Sequence, residues 1–259
     1  MVITAVSLTK LYNYRPALDH LDLEVKDGEF LCLLGRNGAG KSTFLKILTM
    51  QIRPTSGTAM VNGLDIAKQP QEIKRLLGYV PDTPILYDKL NADEFLAFVG
   101  DLYSMDKKEA LSRADTLLRI LSLYEKSAYL TESYSFGMKK KLAFAAALLH
   151  KPKVLIMDEP FDGMDPESCY LVKEILRQFV QHGGTALLTT HVLEIAEALA
   201  DRVAILETGR LVALGTIPEL QENMGAATLE EAFISSSEGV SWKESQQTLK
   251  NAVDTSGLF

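Results

Sequence analysis

The stretch that most constrains the fold is Gly35 to Thr43, reading Gly-Arg-Asn-Gly-Ala-Gly-Lys-Ser-Thr, which follows the apolar run Phe30 to Leu34 without a break. It fits the phosphate-binding loop pattern G-x-x-x-x-G-K-[ST]. Gly35, Gly38 and Gly40 let the backbone take φ > 0 and come close to a polyphosphate, so that Arg36, Asn37 and Ala39 between them turn successive N–H groups toward its oxygens. Lys41 then reaches the β- and γ-phosphates, and Ser42 offers its hydroxyl to Mg2+. Phe44 to Leu48 continues as a helix whose N-terminal dipole faces the anion. Strand, loop and helix occur in the order this chemistry requires.

Two later stretches carry polar groups at the ends of buried strands. Val154 to Met157 is apolar and ends in Asp158-Glu159-Pro160. In phosphate-loop enzymes an acid at a strand end holds Mg2+, which accounts for Asp158, and Glu159 beside it polarises an attacking water; the competing reading is a helix N-cap pair. Thr185 to Thr189 reads as a strand, and Leu187-Leu188-Thr189-Thr190-His191 places a histidine at its end. A lone strand-end histidine is more often structural, but parallel strands present their C-terminal ends to one crevice, where Lys41, Asp158 and His191 can meet one phosphate.

With 259 residues, 47% of them hydrophobic, the chain can bury a sizeable core. The longest apolar run, Leu142 to Leu149, is too short to span a membrane, and the first residues lack a signal-peptide pattern. A cytoplasmic location is expected. The net charge of −7 disfavours nucleic acid as a partner. Lys139-Lys140-Lys141 reads as a solvated helix face, and Cys32 and Cys169 as reduced packing residues.

The alternation of strand and helix patterns points to an α/β fold. Ile3 to Tyr12 and Leu21 to Val25 alternate as an antiparallel β layer; Thr58 to Val61 and Asn62-Gly63 signal a hairpin. Pro81-Asp82-Thr83-Pro84 opens a helical insert, in which Phe95, Phe98, Val99 and Leu102, and then Leu111, Ala114, Leu118 and Leu121, recur at core-facing spacing. Residues 1–80 and 135–215 are expected to form the nucleotide-binding core, 81–134 the insert, and 216–259 short helices with a polar tail from about Ser235.

Ser135-Phe136-Gly137-Met138, opening an all-apolar helix, resembles the signature motif of ABC-type ATPases. The phosphate loop, the proline-bounded loop at Asp82, the insert, the acid strand, Asp162-Gly163-Met164-Asp165 and His191 occur in that family's order. The resemblance covers Tyr12 to His191. It implies a phosphate-loop NTPase core of mainly parallel sheet, with an antiparallel β layer and a helical insert. Tyr12 would stack on adenine, with Tyr14 as a rival. Lys41, Ser42 and Thr43 would hold the phosphates and metal of ATP, Glu159 would activate water, and His191 would contact the γ-phosphate. Ser135 and Gly137 would act on the nucleotide of a second ATP-binding subunit, so that ATP joins a head-to-tail dimer of identical or related subunits.

Two positions depart from the family. Asp82 stands where Gln is usual, and as a carboxylate it can reach Mg2+ but cannot donate an N–H. Tyr134 to Met138 replaces the usual Leu-Ser-Gly-Gly-Gln and keeps its Ser and second Gly. Thr228 to Ile234 and the Leu86-Tyr87-Asp88 region resemble exporters of the ABC-2 type. With one ATPase unit and no fused membrane part in view, the resemblance implies a subunit peripheral on the inner face of the cell membrane that powers export through a separate permease. A soluble ABC ATPase acting on ribosomes or DNA, and a regulator that binds nucleotide without hydrolysis, are the other readings.

Overall fold

The computed structural model describes residues 1–236. The polar tail expected from Ser235 falls almost wholly outside them. In chain order the elements are β1 (Ile3–Tyr12), β2 (Arg15–Val25), β3 (Phe30–Leu34), α1 (Lys41–Leu48), β4 (Ser56–Val61), β5 (Leu64–Asp65), α2 (Pro70–Leu76) and β6 (Leu77–Val80). The insert follows with α3 (Ala92–Leu102) and α4 (Lys107–Ile120). Then come α5 (Phe136–Leu149), β7 (Val154–Asp158), α6 (Pro166–Gln181), β8 (Thr185–Thr190), α7 (Leu193–Leu199), β9 (Arg202–Glu207), β10 (Arg210–Gly215), α8 (Ile217–Met224) and α9 (Leu229–Ser235).

Two sheets result. The smaller is antiparallel, in the order β2-β1-β4-β5, and the larger runs β10-β9-β3-β8-β7-β6 with every pair parallel except β10 on β9. All five residues of β3, all five of β7 and all six of β8 are buried, because the larger sheet is covered on both faces and continuous apolar strands are what such a position demands. Phe30, Cys32 and Leu34 face a core shared with α5, α6, α7 and the insert. Leu31 and Leu33 face the other core, shared with α1 and the smaller sheet. Each fully buried Leu or Ile contributes about 1.5–3 kcal/mol.

The Asn62-Gly63 turn closes β4 on β5 with both residues at positive φ, as a two-residue hairpin of this hand requires. Strand β10, which pairs with β9 through the Thr208-Gly209 turn, has no counterpart in the sequence reading.

In the insert the helical stripes are only partly core. Phe95 and Leu96 on α3, and Ala110, Ala114 and Leu118 on α4, are buried with Leu121. Phe98, Leu102 and Leu111, expected inside, are exposed, Leu102 by 66%. The insert packs on α5 from one side only, so an apolar stripe wider than that contact leaves its edge in solvent.

Register sets the site. Leu34 lies beside Thr190 and Ile205, and Asp158 beside Thr189. The segments that follow β3, β7 and β8 therefore emerge together at one end of the sheet.

Candidate functional site

Helix α1 starts at Lys41 after Gly40, whose φ of 106° suits only glycine. A Cβ at Gly40 would lie 2.3 Å from the Ala17 carbonyl oxygen of β2. Among the described helices of eight residues or more, α1 alone lacks a side chain capping its N-terminus. Its first N–H groups are left for an outside acceptor, at the end where the helix dipole favours an anion. Arg36, Asn37, Gly38 and Ser42 are exposed there, Thr43 is half-buried, and Gly35 and Ala39 are buried beneath.

Lys41 is buried, and its Nζ donates to the Gly35 carbonyl at 2.6 Å while lying 3.6 Å from Glu159 Oε1. A buried ammonium beside uncapped helix N–H groups, on a loop without a carboxylate, fits a polyphosphate.

Opposite, one hydroxyl orients both acids. Thr189 Oγ1 donates to Asp158 Oδ1 at 2.6 Å and accepts from the Glu159 N–H at 3.2 Å. Asp158 is buried, and that bond satisfies one of its oxygens. Glu159 sits at φ 45°, a conformation a non-glycine residue holds only when its surroundings enforce it. Its Oε2 accepts from the backbone N–H of His191 at 3.3 Å and lies 3.1 Å from His191 Nδ1. Glu159, Asp162 and His191 each bring a ligand atom within 4.8 Å of the others. The sheet thus brings Lys41, Asp158, Glu159 and His191 together at one end.

The lysine run is not a solvated face. Lys140 is fully buried, Lys141 is 9% exposed and Lys139 is half-buried. The reason is that α5 is apolar nearly all round and packed on several sides, so no broad exposed face exists for three successive residues set 100° apart. Lys140 Nζ donates to the Glu159 carbonyl oxygen at 2.6 Å and lies 3.7 Å from Asp82 Oδ1. Burial pushes its ammonium below the usual lysine range, and the carboxylates of Asp82, Asp162 and Asp158 oppose that shift. Asp82, in the loop after β6, has a side chain 57% exposed. To ligate Mg2+ it would have to exchange the Lys140 ammonium for the metal.

Ser135 caps α5, its Oγ accepting from the Met138 N–H at 3.3 Å, and stays exposed. A Cβ on Gly137 would lie 2.8 Å from the Gly163 carbonyl oxygen, so only glycine lets α5 start this close to the loop after β7. Tyr12 ends β1, half-exposed, with Lys10 Nζ 5.3 Å from its ring centre, whereas Tyr14 at the tip of the β1–β2 turn is 96% exposed. A cavity of about 810 Å3 lies at the opposite ends of β7 and β8, against Lys153 and Gly184. It shares no lining residue with the site.

Sequence reasoning did not single out Thr189, and it placed Lys140 only in a run read as solvated. For Thr189 a signal existed, since Asp158 and Thr189 close neighbouring strands. For Lys140 it was the all-apolar helix around it.

Comparisons with known proteins show the family. The family model described as ABC transporter matches residues 18–162. The chain is 36% identical to the linearmycin resistance ATP-binding protein LnrL of Bacillus subtilis, over 90% of this chain and 75% of that protein. It is also 36% identical to the Nod factor export ATP-binding protein I of Rhizobium meliloti, over 89% of this chain and 69% of that one. A solved ATP-binding subunit of an ABC transporter superposes with a TM-score of 0.86 at 32% identity, covering 91% of this chain and 99% of its own. A phosphate loop followed by a buried lysine, facing a strand-end glutamate across an ABC fold, is here joined to kinship over most of the sequence: the chain belongs to the ABC transporter family, as an ATP-binding and ATP-hydrolysing subunit.

Proposed function

We propose that ATP and Mg2+ bind where β3, β7 and β8 end, that Glu159 drives hydrolysis, and that the cycle powers export through a separate membrane permease. The observation that carries this reading is the uncapped start of α1 with Lys41 buried beneath it and the Glu159 carboxylate 3.6 Å away. Gly35 to Thr43 cradle the phosphates. Ser42 and Asp158 would hold Mg2+, whose charge would offset that of the phosphates. Glu159, oriented through Thr189 and His191, accepts a proton from the attacking water, and His191 faces the γ-phosphate.

Tyr12 is assigned to adenine, because Tyr14 is turned out to solvent at the hairpin tip. Ser135, exposed, and Gly137, half-buried, at the head of α5, complete the site of a second subunit. Residues 1–80 and 135–215 act as the motor and 81–134 as the arm that meets the permease. In support of the arm, Ile85, Tyr87, Phe98 and Leu102 are exposed apolar residues of the insert, Tyr87 packing edge-on against Phe98 at 5.2 Å. Export is supported by the Nod factor relative, which is named for it.

Glu159→Gln tests the assignment, because the amide keeps the shape but cannot take a proton. ATP binding should stay within about threefold of the parent while turnover falls on the order of a hundredfold or more. Turnover near the parent rate would remove Glu159 from the chemistry.

A further inference from the structure

Glu159 is gripped from two sides. On its carboxylate side stand Lys41 and His191. On its backbone side stands Lys140, whose Nζ bonds the Glu159 carbonyl at 2.6 Å. The carboxylate cannot aim at water unless the residue keeps its φ of 45°, and that conformation costs of order 1–3 kcal/mol. Two groups hold it: the Thr189 side, which fixes the N–H, and Lys140, which fixes the C=O.

Lys140 in turn has a counter-ion with freedom to move. Asp82 is more than half exposed, lies in the loop between β6 and the insert, and is flanked by Pro81 and Pro84. Lys140 itself is fully buried and belongs to α5, the helix capped by Ser135. One side chain therefore joins the signature helix, the backbone of the catalytic strand end and the loop leading into the insert.

We propose that Lys140 is the positioning residue for Glu159, and that Asp82 acts through Lys140 as its counter-ion. When the insert draws Asp82 away, the ammonium settles more fully on the Glu159 carbonyl or shifts toward Asp162, and the aim of the Glu159 carboxylate changes with it. This rests on the reading of Glu159 given above, and the Glu159→Gln experiment tests that reading separately.

The test is a cycle of Lys140→Met, Asp82→Asn and the double variant in the full chain, each measured for ATP dissociation constant, kcat and Mg2+ midpoint. Lys140→Met should lower kcat on the order of thirtyfold with ATP affinity within about threefold, because a misplaced base hurts the chemical step and leaves phosphate binding alone. Asp82→Asn should lower kcat by only about threefold with an unchanged Mg2+ midpoint, and the double variant should match Lys140→Met, since Asp82 has nothing left to act through. Lys140→Gln serves if Lys140→Met does not fold. Keeping an N–H donor without the charge, it should retain kcat within about fivefold and make Asp82→Asn silent. The proposal is overturned if Lys140→Met turns over within about threefold of the parent, or if the two changes multiply independently. It is also overturned if Lys140→Gln stays sensitive to Asp82→Asn, or if Asp82→Asn moves the Mg2+ midpoint, which would make Asp82 a metal ligand.

Discussion

Two loop-and-helix units flank Glu159, and they are built to opposite specifications. Gly35 to Leu48 begins its helix with a glycine, leaves the first N–H groups uncapped, and sends Lys41 from the first turn to the carboxylate. Tyr134 to Leu149 begins its helix with Ser135, which caps it, and sends Lys140 from the second turn to the carbonyl of the same residue. The first unit is left open to an anion. The second is internally satisfied and presents an exposed serine outward. The difference teaches that a helix start is not enough to define an anion site: what the cap leaves unpaired decides whether the helix can take an outside acceptor.

The sharpest break in this comparison comes from the two lysines. Lys41→Ala removes the buried cation beside the uncapped start of α1 and should weaken ATP binding on the order of a hundredfold, as judged by equilibrium dialysis. No change at Lys140 should approach that loss of affinity. A Lys41→Ala protein that binds ATP within a few-fold of the parent would erase the distinction between the two units.

A smaller effect is expected on the strand side that both units share. Thr189→Val keeps the β-branched shape and removes the hydroxyl that orients Asp158 and Glu159. Turnover should fall about tenfold, and stability by about 1–3 kcal/mol because a buried carboxylate loses a donor. Steady-state rates with a denaturant titration measure both; unchanged turnover would mean that His191 and Lys140 orient Glu159 unaided.

Most of this arrangement was legible in the chain. Phe30 to Leu34, Val154 to Met157 and Thr185 to Thr189 declared themselves because strands covered on both faces must be apolar throughout, and the polar residues ending such runs stand out. Lys140 was hidden, since composition counts a lysine as solvated and only the packing of α5 shows otherwise. The insert misled in the other direction. Phe98, Leu102 and Leu111 sit on genuine helical stripes, yet periodicity locates an apolar face without saying what covers it.

The far end of α5 gives the smallest expected effect. His150 caps that helix, stacks on Tyr103 at 3.7 Å and lies 3.2 Å from the Leu77 carbonyl through Nε2, which must therefore carry the proton. Nδ1 has no partner, and burial pulls the ring's pKa down to about 4 from 6.5. The unfolded chain thus binds the proton first. Stability is fully present above about pH 6.5 and is lost as pH falls toward 4, by about 1–2 kcal/mol once the partly exposed ring is allowed for. His150→Phe should flatten that stretch of the stability profile; an unaltered slope between pH 6.5 and 4 would show that other groups set it.

The claim that the two units serve nucleotides in different chains is tested most directly by sedimentation of the Glu159→Gln protein, in which bound ATP is not discharged. With saturating ATP and Mg2+ it should sediment as a dimer, and without ATP as a monomer. Adding Ser135→Arg, which sets a bulky cation at the positive end of α5, should return it to a monomer while ATP binding to each chain persists. A Glu159→Gln protein that stays monomeric at ATP concentrations well above those needed for binding would contradict the account.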